Sequence, residues 1–112
     1  MNDEQTSDQR RQARVSLPEQ PDVLDVHSQE LVGRLVNISW EGMMLMGVKQ
    51  VPAGSLLQVS FPLQVDGKIV RIRAGLEAIW CNCGENGTCW SGFQIIDISP
   101  EDQEIIGRLI YD

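Results

Sequence analysis

Leu57-Gln58-Val59-Ser60-Phe61-Pro62-Leu63-Gln64-Val65-Asp66-Gly67-Lys68-Ile69-Val70-Arg71-Ile72-Arg73-Ala74-Gly75-Leu76-Glu77-Ala78-Ile79-Trp80 is the stretch that decides the fold of this 112-residue chain. Leu57, Val59, Phe61 and Leu63 alternate with polar or small neighbours, the period of a half-buried strand. Asp66-Gly67 then gives a strong hairpin signal, because both central positions of such a turn favour positive φ. Beyond it, Val70, Ile72, Ala74, Leu76, Ala78 and Trp80 are expected on one strand face, with Arg71, Arg73 and Glu77 on the other. Gly75, in mid-strand, marks a bulge or sharp bend of the kind a closing barrel needs.

Working outward, four more strand patterns appear, over residues 22–26, 30–38, 43–48 and 90–98. In 30–38 the alternation predicts Val32, Val36 and Ile38 on one face and Leu31 and Leu35 on the other, with Arg34 as a polar break. Pro52-Ala53-Gly54-Ser55 is a turn, and residues 83–87 form a loop. Ser99-Pro100-Glu101-Asp102 opens a helix: the serine caps, proline suits the first turn, and the acids favour its positive end. Ile105, Ile106, Leu109 and Ile110 then recur at helical spacing. Six short antiparallel strands followed by one amphipathic helix predict a mainly β fold, a small six-stranded antiparallel barrel with a C-terminal helix packed against it. Residues 1–9 are polar and aperiodic and read as a disordered tail, so the domain spans residues 10–112.

The formal net charge is −7, which argues against nonspecific binding to DNA, RNA or anionic membrane. A local cationic cluster nevertheless exists at Arg10-Arg11-Gln12-Ala13-Arg14, in an arm that runs to Leu17, Pro18 and Pro21. No apolar run approaches a membrane span and no leader-like N-terminus is evident, so a cytoplasmic location is expected. The chain has no clustered carboxylates and no nucleophile–base pair, and its single histidine, His27, stands alone; no catalytic residue is expected. Cys81, Cys83 and Cys89 lack a nearby fourth ligand for structural zinc, so no metal is expected. An odd cysteine count on such a chain reads as packing residues or free thiols rather than a disulfide framework.

A second polar motif, Asn37-Ile38-Ser39-Trp40-Glu41-Gly42, stands where one apolar strand pattern ends and the next begins. Arginines bind phosphates through a planar fork and stack on flat bases. An amide, a hydroxyl and a glycine at a strand corner favour a turn and can read a base edge at close range. Trp40 inside this motif is expected to be half-buried over the barrel end, and Trp80 and Trp90 to be core or barrel-surface residues.

With Arg10 and Arg14 spaced R-x-x-x-R, and Asn37, Ser39 and Gly42 spaced [D/N]-x-S-x-x-G, the chain resembles the PilZ domain family of cyclic di-GMP receptors. Trp90-Ser91-Gly92-Phe93-Gln94 is similar to that family's last strand, and the resemblance runs from about Gln9 to the C-terminus. It implies that Arg10 and Arg14 hold the ligand phosphates and stack on guanine, with Arg11 adding a further phosphate contact. It implies that Asn37 bonds a guanine edge, that Ser39 offers its hydroxyl to base or phosphate, and that Gly42 keeps the turn clear. Gln9 stands where members that hold a stacked ligand pair carry more arginine, so the resemblance leaves one ligand or two. The family implies a receptor without a cofactor, signalling to a separate, unidentified protein effector in motility, exopolysaccharide, attachment or virulence control; the polar, proline-punctuated arm up to Pro21 is expected to be mobile without ligand and to fold over the barrel mouth on binding. The alternative is a ligand-independent interaction module on the same fold.

Overall fold

The Asp66-Gly67 turn does what its sequence demands: both residues adopt positive φ, 54° and 76°, and the chain reverses tightly. The computed structural model describes residues 13–111; Arg10, Arg11 and the predicted tail lie outside them. The strands are β1 (Arg14–Ser16), β2 (Asp22–Asp25), β3 (Leu31–Ser39), β4 (Gly42–Gly47), β5 (Leu56–Val65), β6 (Lys68–Cys83) and β7 (Cys89–Ile98), followed by helix α1 (Pro100–Tyr111). Antiparallel pairing runs β3-β2-β5-β6-β7-β4 and returns to β3, closing a six-stranded barrel. The predicted barrel and helix are therefore both present. The addition is β1, which pairs with the C-terminal end of β3 through Arg14↔Ser39, Val15↔Ile38 and Ser16↔Asn37.

Inward side chains fill the barrel in the alternation expected of β5 and β6. Val59, Phe61, Leu63, Ile72, Ala74, Leu76 and Ala78 are buried, and Leu35, Ile38, Met43, Leu45 and Phe93 complete the core. Two expected faces are corrected by bulges. On β3, Leu35 faces Leu45 but Asn37 faces Met44, leaving Val36 as an extra residue. That residue resets the alternation, so Leu35 and Ile38, predicted on opposite faces, are both fully buried. On β6, Ala78 faces Phe93 and Trp80 faces Gly92, so Ile79 is the extra residue. Trp80 thus leaves the core face it was predicted to share with Ala78 and is 39% exposed. The irregularity expected at Gly75 is found between Gly75 and Leu76, with the extra residue, Ile96, on β7.

Ser99 caps α1 by accepting the Asp102 N–H on its Oγ at 3.1 Å. Ile106 is buried, while Ile105, Leu109 and Ile110 pack partly against the core. Asp102 accepts the backbone N–H of Arg73 on β6 at 3.1 Å, tying the first helical turn to the barrel. Trp40 is half-buried, as expected, and its ring lies 6.2 Å from that of Tyr111.

Cys83 and Cys89 are joined in a disulfide, which corrects the reading of both as unbonded. The cause is register: they sit directly opposite each other where β6 and β7 meet at the hairpin. Cys81 keeps a free thiol.

Candidate ligand-binding site

The bulge at Val36 and the short strand β1 together decide where the polar motif residues point. Asn37 is half-buried beside β1, and Arg14 Nη1 donates to its Oδ1 at 3.0 Å. The two motifs, 23 residues apart in sequence, therefore converge through their own side chains. Arg14 and Asn37 line an open cleft of about 460 Å³ whose other walls are Met43, Met44, Ile79, Trp80, Gly92 and Phe93. A second cleft of about 570 Å³ shares Arg14, Ile79 and Phe93 and extends over Ser39, Glu41, Gly42 and Gln94. Both volumes lie in the range typical of small-molecule sites.

Ser39 and Gly42 build the corner on which these clefts rest. The Ser39 hydroxyl accepts the Gly42 N–H at 3.1 Å and donates to the Gly42 carbonyl at 3.2 Å. At 3% exposure it is a buried polar group with both bonds satisfied by its own turn. In this structure the Ser39 hydroxyl forms a clamp that closes the β3–β4 corner. Gly42 is required for a related reason: a Cβ there would run into the Phe93 backbone oxygen on β7. The motif glycine permits close strand approach as well as a clear turn.

Trp80 is the wall residue that sequence reasoning left unassigned. Its indole lies across Gly92, whose missing side chain makes the contact possible; an added Cβ would overlap Nε1. The Ile79 bulge places this half-exposed ring beside the cleft. The signal available in sequence was the pairing of a strand-end tryptophan with Ser91-Gly92, readable only once the register was known. The cleft therefore combines one guanidinium, one amide, an exposed aromatic face and two methionines. Such a lining suits a flat, anionic molecule: charge-assisted bonds for its acid groups and apolar faces for its rings.

Among the described residues no helix is long and apolar enough to cross a membrane. A family model, the PilZ domain, matches residues 8–112. The fold is similar to the Bacillus subtilis inhibitor of motility, MotI/DgrA, with a TM-score of 0.75 and 18% identity. That alignment covers 92% of this chain and 50% of the other. It is also similar to YcgR from Escherichia coli, solved in complex with c-di-GMP, with a TM-score of 0.62 and 17% identity over 88% of this chain and 42% of that one. The chain thus spans half or less of either structure it resembles. No protein of curated function matches it in sequence.

Proposed function

This chain belongs to the PilZ domain family, and from that premise we propose that it is a non-enzymatic receptor for cyclic di-GMP. The observation that carries the reading is the Arg14–Asn37 hydrogen bond at the mouth of the cleft, where both motifs meet. In the proposed complex Arg14 turns its fork to a phosphate or stacks on a guanine. Arg10 and Arg11, outside the described residues, supply further guanidinium groups. Asn37, released by Arg14, bonds a guanine edge through its amide, which can both donate and accept. Trp80 gives a second guanine a flat face. Ser39 and Gly42 hold the corner in shape, and no cofactor or metal takes part in binding.

The ligand's recruitment of Arg14 is the proposed signal. Because Arg14 lies on a short strand paired to the barrel, a ligand that recruits it reshapes the surface around β1 and the adjoining helix. A separate protein effector reads that surface, in the cytoplasm where guanine nucleotides are made. Motility control is one candidate output, supported by the fold shared with an inhibitor of motility.

Calorimetric titration with cyclic di-GMP, with GTP as control, tests the reading. Saturable binding lost in an Arg10→Ala/Arg14→Ala variant is the expected result, and its stoichiometry distinguishes one ligand from two. Absence of binding at tens of micromolar would move the chain to the ligand-independent interaction modules.

A further inference from the structure

The β6–β7 hairpin end carries chemistry that nucleotide binding does not use. The Ile79 bulge resets β6 so that Cys81 and Cys83 fall on the same face as Cys89 and Ser91, their register partners across the ladder. The three sulfurs lie within 4.8 Å of one another. Cys81 Sγ is 4.0 Å from Cys83 Sγ, and the Ser91 hydroxyl donates to Cys81 Sγ at 3.4 Å, fixing its direction. Cys89 is buried, Cys81 half-buried and Cys83 exposed, so the group has a dry floor and an open side. Among the described residues no histidine or carboxylate joins it.

We propose that the reduced form of this trio is a three-thiolate site for one Cu(I) ion. Metal–sulfur bonds of about 2.3 Å in a trigonal plane set sulfur atoms about 4 Å apart, the spacing already held between Cys81 and Cys83. Cys89 meets the same spacing once the Cys83–Cys89 bond is opened, with both backbones still held by the ladder. Soft thiolates select Cu(I), whereas zinc in a structural site calls for a fourth nitrogen or sulfur donor that this cluster lacks. The sequence reading discounted a metal for want of that donor; a three-coordinate ion does not need it.

The chemistry balances in two steps. A dithiol reductant supplies two electrons and two protons, cleaving the Cys83–Cys89 S–S bond and becoming a disulfide itself. Three thiols then bind Cu(I) as thiolates and release three protons to solvent. The disulfide and the metal are consequently exclusive states of one site, and acid opposes loading.

The test uses the full chain, reduced with a phosphine, which takes the oxygen of water as two thiols form. The phosphine is then removed under anaerobic conditions and Cu(I) is added as its acetonitrile complex against bicinchoninate as competitor. We expect one Cu(I) per chain, an ultraviolet sulfur-to-copper charge-transfer band, and no retained copper in the oxidised protein. Cys81→Ser leaves the Cys83–Cys89 disulfide able to form, so its fold is checked in the oxidised state; after reduction its retention of copper should fall at least tenfold. Failure of the reduced protein to hold copper would overturn the proposal. So would equal retention by Cys81→Ser, equal retention by the oxidised form, or retention of Zn(II) with none of Cu(I). None of these outcomes depends on whether cyclic di-GMP binds.

Discussion

The β3–β4 corner and the β1 arm border the same cleft but are held in opposite ways. At the corner, one buried hydroxyl is both donor and acceptor to the Gly42 backbone, and Gly42 itself lies against β7. The arm is a three-residue strand whose exposed Arg14 reaches Asn37 through a single described bond. Burial makes the corner's polar groups costly to disturb, because any partner lost there is not replaced by water. Arg14 can exchange its amide partner for solvent or ligand at little cost. The two halves of one motif pair are thus held differently, and under the proposed function the corner serves folding and the arm serves binding.

The sharpest way to break that division is Gly42→Ala. The methyl group would meet the Phe93 backbone carbonyl in the β4–β7 ladder. Neither side can rotate away, so a loss of about 3 kcal/mol is expected, near the top of the range for overpacked sites. Urea unfolding measures it; a variant within half a kcal/mol of wild type, a margin usual for surface changes, would remove the structural argument for the glycine.

Arg14→Ala should do the reverse. Loss of a charge-assisted contact to the ligand is expected to cost about 2 kcal/mol, roughly thirtyfold in Kd, while the unfolding midpoint stays put. A fall in stability as large as the fall in affinity would mean that β1 is part of the scaffold. Ser39→Ala sharpens the contrast with a smaller effect, about 1–2 kcal/mol of stability from two unpaired backbone groups at Gly42. The folded variant should bind cyclic di-GMP within threefold of wild type. An affinity loss as large as that of Arg14→Ala would restore the hydroxyl to the ligand shell.

Much of this division was legible in sequence, and the illegible part has a common physical origin. Alternation along β5 and along β6 as far as Ala78, the Asp66-Gly67 turn and the Ser99 cap each rest on local chemistry, and each is found where read. The motif residues Arg14 and Asn37 do come together, but nothing local says so. Their meeting depends on Val36, an extra residue with no compositional mark that resets the face of every residue after it. Ile79 acts in the same way on Trp80 and on the cysteines. A bulge is a property of two strands in register, so one strand's pattern cannot announce it. The same holds for Ser39: its residue type suits a ligand contact and a turn clamp equally, and only the fold shows the hydroxyl buried in a clamp.

The β2–β3 turn offers a control for the role of burial. There Asp25 Oδ1 accepts the backbone N–H groups of Ser28 at 2.9 Å and His27 at 2.8 Å, a clamp like that at Ser39 but only half-buried and open to water. The bonds from Ser28 and then His27 hold the Asp25 carboxyl below its ordinary 3.8. A carboxyl depressed by folding stabilises the fold above its unfolded pKa, and that contribution disappears as pH falls through the lower folded value. Asp25→Asn keeps the acceptor oxygen and removes the charge. Its unfolding midpoint should sit slightly below wild type at pH 7, with the gap closing as pH drops past 3.8. The gap should be the smallest of the four effects, because water can replace either partner at this turn. A gap as large as that of Ser39→Ala would show that the number of clamp bonds, rather than their burial, governs what the corner contributes.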